Sequence, residues 1–271
     1  MPIIAVSRMS FAAGRDVAKG VAKELGLPCL SREEALVQAA QECGILESEL
    51  VRALNQPPHF WQQVPGKRLA YMKCVTAVLL DRARQGNLVY HGHVGHLLLS
   101  AIPHVLRVRV IADMESRIRS AMARVTLKRE AAIAHIHHVD EDRARWARFL
   151  YGVDWQEPTQ YHLILNLGQL SVASACGTIA CMAEMEEFRP SAEGLRQLED
   201  LRIGCKVWAA LARNPDTRSA AIQVTAHEGE VVISGTVPSA AFLETITKIA
   251  TQVEGVTSVR CTAGMGTDWY W

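Results

Sequence analysis

Ile3-Ile4-Ala5-Val6-Ser7-Arg8-Met9-Ser10-Phe11-Ala12-Ala13-Gly14-Arg15-Asp16-Val17-Ala18 is the stretch that decides the fold. Ile3–Val6 is short, apolar and rich in branched side chains, as a buried strand requires. From Arg15 to Leu25 the residues Val17, Val21 and Leu25 recur every four positions, which predicts a helix closed by Gly26. A strand that turns directly into a helix aims free N–H groups and the positive end of the helix dipole at one point, where phosphates bind. A glycine-rich phosphate loop needs several glycines so that its backbone can curl and approach the phosphate. Here only Gly14 remains, and the Gly-Lys-Ser/Thr ending is missing. By motif alone, a phosphate loop and a plain strand–helix turn both stay open.

Outward from this stretch, strands and helices alternate. Ser31-Arg32-Glu33-Glu34 is a capping-box pattern that opens a helix to about Gln41, and Asn55-Gln56-Pro57-Pro58 breaks the helical run. A helix over roughly Lys67–Arg84 leads to a strand at Asn87–Tyr90 that ends in Gly92. Val105–Ile111 is a third strand and Asp113–Arg124 a helix. Lys128–Leu150 reads as two further helices rich in Arg and His. Tyr161–Asn166 is a fourth strand and Ser171–Glu187 a helix. Such alternation means crossovers and a mostly parallel sheet, whose ligands sit beyond the carboxyl ends of the strands. That points at Ser7–Arg15, His91–Gly95 and Ala112–Arg119. Phe188–Gly194 reads as a linker, so the expected domains are residues 1–188 and 196–271, joined by 189–195. The second part runs helix, strand, strand, helix, strand, with a turn at Glu228-Gly229.

Composition sets the outer limits. In 271 residues, 49% are hydrophobic and 21% charged, an ordinary globular balance. The formal net charge of +1 gives no global field favouring nucleic acid or an anionic membrane. Seven scattered cysteines without a Cys-x-x-Cys pair read as reduced, packing thiols. The N-terminus has no signal-peptide pattern, and no apolar run approaches the roughly 20 residues that span a bilayer. The expected setting is the cytoplasm. Histidines crowd at His91-x-His93-x-x-His96 and at His135-x-His137-His138, but neither set matches a standard metal spacing, so no metal site is assigned. Ser7 and Ser10 have no evident base, which argues against hydrolysis.

Five segments, in order, resemble the cytidylate kinase-like family of P-loop proteins: Val6-Ser7-Arg8, Gly14-Arg15-Asp16-Val17-Ala18, Leu88-Val89-Tyr90-His91-Gly92, Val139–Ala144 and Tyr161–Asn166. The resemblance covers about residues 3–187. It implies an α/β fold of the nucleoside-monophosphate-kinase type, with a parallel sheet flanked by helices. It also implies ATP as phosphoryl donor, CMP or dCMP as acceptor, and Mg2+ if the site is catalytic. Carried onto this chain, the phosphate- and nucleotide-binding residues are Ser7, Arg8, Ser10, Ala13, Gly14, Arg15, Asp16, Gly92, His93, Arg119, Arg124 and Asn166, and the catalytic ones Arg117, Arg143 and Asp140. Three departures stand out. Phe11, Ala12 and Ala13 replace Gly, Ser and Gly, so their Cβ atoms are expected to resist positive φ and hold the backbone off a phosphate. His93 replaces an arginine that is a permanent bidentate donor, and His162 replaces an aspartate. The expectation is therefore a nucleotide-binding regulatory protein with a degraded loop. An active (deoxy)cytidylate kinase and a non-catalytic scaffold are the alternatives.

Residues 196–263 resemble the BON domain, through Leu198-Glu199-Asp200, Val207, Ala210-Leu211, Gly229, Val231, Ser234–Pro238 and Gly255-Val256-x-x-Val259. That family implies a small αββαβ module that binds rather than catalyses. With no polybasic cluster for a membrane, a protein or small-molecule partner is expected. The aromatic tail Asp268-Trp269-Tyr270-Trp271 either docks on its own domain or makes a subunit contact in a homo-oligomer.

Overall fold

The computed structural model describes residues 2–55, 65–84, 86–92, 94–217 and 221–265. The tail Asp268–Trp271 and His93 therefore lie outside the described residues. β1 (Ile3–Arg8) runs through the middle of a parallel sheet of order β2-β3-β1-β4-β5, five-stranded among the described residues. Its neighbours are β2 (Cys29–Ser31), β3 (Leu88–His91), β4 (Val105–Ile111) and β5 (Leu163–Asn166). Ile3, Ile4, Ala5 and Val6 are all buried, because a parallel strand is covered on both faces and so reads as a continuous apolar run. β2 was not expected: three residues are too few to carry a period of two.

α1 (Gly14–Leu25) packs Val17, Ala18 and Val21 against α8 (Val172–Ala183) and the apolar face of β1 and β4, where Ile4, Val6, Leu106 and Val108 meet them. Gly26 ends α1 in the left-handed conformation. The capping box is present. Ser31 donates its N–H (2.8 Å) and hydroxyl (2.7 Å) to the Glu34 carboxylate, whose own N–H returns a bond to Ser31 Oγ at 3.1 Å, opening α2 (Arg32–Cys43). α3 (Glu47–Asn55), α4 (Pro65–Ala83) and α5 (Gly95–Leu98) follow along the chain. α6 (Met114–Val125) and α7 (Arg129–Tyr151) form a hairpin over Ile118, Ala121, Ala132 and Ile136. α7 is one helix of 23 residues, not the expected two. The stretch has no Pro or Gly to break it, and its clustered histidines are tolerated in a helix interior.

The chain divides into two compact units whose membership does not follow chain order. One is built from residues 2–34 and 86–194, the other mainly from 35–54, 65–84 and 195–265. Within the second, α9 (Ala192–Arg213) starts inside the stretch expected to be linker. β6 (Ala221–His227), β7 (Glu230–Val237), α10 (Ala240–Thr251) and β8 (Ser258–Cys261) complete the αββαβ order, and β9 (Gly264–Met265) adds to β7. Glu228 and Gly229 carry positive φ (47° and 82°) in the two-residue turn between the antiparallel strands β6 and β7. Ala70 of α4 joins the core of Val207, Trp208, Ile233 and Ile246. Arg202 of α9, fully buried, reaches Glu199 at 2.7 Å and Asp81 of α4 at 3.1 Å, and Lys206 reaches Asp81 at 2.9 Å. Among the described residues, no helix is long and apolar enough to cross a membrane.

In the first unit, His91 and His96 are 2% and 1% exposed. Burial, reinforced by Arg8 beside His91 and by Arg107 and Arg109 beside His96, pushes the two imidazoles down to about 4 and about 3. The unfolded chain takes up these protons as pH falls through about 6.5, whereas the folded chain stays neutral. Stability is thus complete above pH 6.5 and declines as pH falls toward 4. Thermal unfolding should show the midpoint falling between pH 6.5 and 5, above the carboxylate range. His96→Leu should flatten that decline.

Candidate functional site

The site grows from the turn between β1 and α1. The Met9 N–H bonds to the Val110 carbonyl at 3.0 Å, so the chain leaves the sheet in register with β4. Phe11 (φ 59°) and Ala13 (φ 55°) then adopt the left-handed conformation. The Asp16 and Val17 N–H groups close onto the Ala13 carbonyl at 2.9 and 3.1 Å, which starts α1 at Gly14. This corrects the expectation that Cβ atoms at these positions would resist positive φ. The loop keeps a glycine-like path without the glycines, at a cost of about 1–2 kcal/mol for each residue. Interactions around the loop hold it there. Phe11 packs against the hairpin core of α6 and α7, its ring centroid 5.7 Å from that of His135.

Arg117 of α6, 3% exposed, is the main tie. Its Nε donates to the Ser10 carbonyl at 2.8 Å, its Nη2 donates to Ser10 Oγ at 2.7 Å, and it pairs with the Asp140 carboxylate on α7. Ser10 donates to Asp140 Oδ1 through its N–H (3.3 Å) and its hydroxyl (2.8 Å). Arg143, one turn further along α7, donates to the Arg8 carbonyl at 2.9 Å. Three side chains expected to act on substrate, Arg117, Asp140 and Arg143, thus also bind the loop to the helical hairpin.

Loop and hairpin enclose a cavity of about 190 Å³. Arg8, Arg15, Arg124, Arg143 and His135 stand in its wall, and among the described residues no carboxylate does. Of the nearby acids, Asp16 pairs with the wall's Arg124 at 2.7 Å, Asp140 pairs with Arg117, and Glu33 acts on Arg8. Arg8 Nε is buried without a hydrogen-bond partner among the described residues. Burial, with Arg124 and Arg15 adding to it against the opposing pull of Glu33, lowers the Arg8 guanidinium from its usual range. Burial and Arg8 push Arg143 down to about 10. Guanidinium charge withdrawn from water and crowded by other guanidinium groups is a place for an anion.

Ser10, Ala13, Gly14 and Arg15 line the cavity with Arg8, Arg124 and Arg143. Other residues expected at the site lie apart from its wall. Ser7 is buried in β1 and receives a 3.4 Å bond from the Tyr161 hydroxyl. Gly92 ends β3, its N–H on the Val6 carbonyl at 3.2 Å. Arg119 donates to Ser116 Oγ at 2.9 Å, and Asn166 accepts from the Gly168 N–H at 3.0 Å. The residues missed are His135 and Val139. They stand eight and four positions before Arg143, on one face of α7, a periodicity visible only when Lys128–Leu150 is read as a single helix.

Residues 3–169 match the cytidylate kinase-like family and residues 199–262 match the BON domain. The cytidylate kinase of Ignicoccus hospitalis is 25% identical over 184 residues, which cover 67% of this chain and 99% of that one. The cytidylate kinase of Pyrobaculum islandicum is 25% identical over 175 residues, covering 65% and 89%. Among solved structures, an uncharacterized protein from Eubacterium ventriosum superposes with a TM-score of 0.53 at 16% identity, over 69% of this chain and 100% of that one, a likeness of fold.

Two substitutions separate backbone strain from side-chain anchoring. Ala13→Gly should relieve the left-handed strain and raise stability by about 1 kcal/mol in chemical denaturation. Asp140→Ala leaves the buried Arg117 without its counter-charge and should lower stability by about 3 kcal/mol.

Proposed function

The chain belongs to the cytidylate kinase-like family, and from that premise we propose that its large domain binds a nucleotide by the phosphate chain and works as a sensor, with the BON domain making the contact that passes the signal on. The observation that carries this reading is a left-handed loop at the start of a helix, opening on a cavity walled by arginines and, among the described residues, by no carboxylate. Phosphate oxygens fit that wall: they accept from the N-terminal N–H groups of α1 and from the guanidinium groups of Arg8, Arg15, Arg124 and Arg143. The changes at Phe11, Ala12, Ala13 and His93 fall at the positions that grip phosphate in the family, which supports a degraded loop that recognises more than it transfers. ATP- or CMP-type nucleotides are the ligands this reading names. The BON domain takes a protein or small-molecule partner, and the chain works in the cytoplasm, where such nucleotides are found.

A second reading has its own support, because the loop keeps the phosphate-binding path and the relatives are named cytidylate kinases. In an active (deoxy)cytidylate kinase, Arg143 and Arg124 would neutralise the charge on the moving phosphoryl group. Among the described residues, no three His, Cys, Asp or Glu side chains stand close enough together to hold a metal. Mg2+ would therefore arrive on the phosphate oxygens, as it commonly does.

Thermal unfolding of the purified chain against ATP, ADP, CMP and dCMP, each with and without Mg2+, tests the first reading. A bound nucleotide at about a hundred times its Kd should raise the midpoint by a few degrees. No shift with any of them at millimolar concentration would contradict nucleotide binding. A CMP-dependent release of ADP from ATP, abolished in Arg143→Ala with the fold intact, would replace the sensor with the kinase.

A further inference from the structure

Phosphate loops of the Gly-Lys-Ser/Thr type place a lysine at the start of the following helix, where its ammonium reaches the β- and γ-phosphates. This chain has Gly14 and Arg15 at the start of α1, and no lysine in the loop. Gly14 lies within the helix, so its backbone does not call for glycine. Space does: a Cβ at position 14 would lie 2.6 Å from Arg8 Cβ, 2.8 Å from its Cδ and 3.2 Å from its Cγ. The stem of Arg8 therefore runs across the first residue of α1. Real Cβ atoms do not come so close to their neighbours, so any longer side chain at 14 would have to displace Arg8.

Arg8 is the last residue of β1, its carbonyl is held by Arg143, and its side chain stands in the wall of the cavity at the loop. Its Nε is buried and has no hydrogen-bond partner among the described residues. We propose that Arg8 supplies the cation that the loop lacks: its guanidinium, delivered from the end of the strand across Gly14, binds the phosphate chain of the nucleotide, and residue 14 is glycine so that the side chain can pass. This assignment rests on the nucleotide reading above. It also fits the chemistry of the swap. A guanidinium offers a fork of donors to two phosphate oxygens, whereas an ammonium acts as a point charge. The lowering of Arg8 by burial and by Arg124 and Arg15 is what a bound anion would reverse.

The test is calorimetric titration of the full-length chain with MgATP and, separately, with inorganic tripolyphosphate, which carries the phosphates without a nucleoside. Arg8→Ala and Arg8→Met, the second keeping the packed stem, should both weaken binding of each probe by about 10- to 100-fold. Circular dichroism should show the fold unchanged in both. Gly14→Ala, which pushes the stem aside, should weaken binding as well. Arg8→Ala combined with Gly14→Lys should bind at least tenfold tighter than Arg8→Ala alone, because the vacated space now accepts the lysine. Wild-type affinity in Arg8→Ala and Arg8→Met would overturn the role of Arg8 and leave the nucleotide reading standing. A double variant no tighter than Arg8→Ala would overturn the exchange between the two positions. Failure of the unmodified chain to bind either probe would overturn the nucleotide reading and this assignment with it.

Discussion

Arg117 carries a full charge at 3% exposure, and an unpaired ion there would cost several kcal/mol in lost hydration. That cost fixes the geometry around it. Its donors must be met, and they are met by the Ser10 carbonyl, the Ser10 hydroxyl and the Asp140 carboxylate. Because Ser10 belongs to the loop and Asp140 to α7, satisfying one cation ties the strand–helix turn to both helices of the hairpin. The left-handed residues Phe11 and Ala13 sit immediately after this anchor, and Phe11 is packed into the same hairpin. A loop with Phe11 and Ala13 at its left-handed positions would relax toward a broader turn if it stood alone. Held from one side by a buried ion pair, it keeps a curled path that its own residues disfavour.

The same arrangement accounts for the charge of the cavity. Asp140 pairs with Arg117 and Asp16 with Arg124, and among the described residues no carboxylate stands beside the guanidinium groups of Arg8, Arg15 and Arg143 in the wall. A carboxylate that anchors the loop and an arginine of the cavity wall are thus separated by a single helical turn of α7, from Asp140 to Arg143. The second unit shows a related use of buried charge. Arg202 draws Asp81 and Glu199 together, so that α4, which precedes β3 in the chain, belongs with the BON residues in one packed body.

Most of the fold was legible in the sequence because it rests on periodicity. The apolar run of β1, the four-residue spacing of α1, the reciprocal cap at Ser31 and Glu34 and the αββαβ order of the second unit all follow from local patterns. β2 escaped because three residues cannot show a period, and α7 was cut in two because its histidines hid an unbroken helix. Of the residues carried over from the family pattern, Ser10, Gly14, Arg15, Arg124 and Arg143 line one cavity, which the order of strands and helices places at the end of β1. The wiring of the site was not legible. Nothing local in the sequence says that Arg117 and Asp140 satisfy each other, that Gly14 answers to Arg8 six residues earlier, or that residues 65–84 pack with a module that begins near residue 195. Those are long-range steric and electrostatic matches, and they exist only once the chain has folded.

Hydrogen–deuterium exchange of the full-length chain, with and without saturating MgATP, tests most directly whether the β1–α1 loop is a phosphate-binding element. The account predicts strong new protection of the amides from Phe11 to Arg15, accompanied by protection in the α7 segment around Arg143. Unchanged exchange across residues 8–16 while MgATP protects another part of the chain would contradict it, since a phosphate chain seated in this cavity must take up those N–H groups.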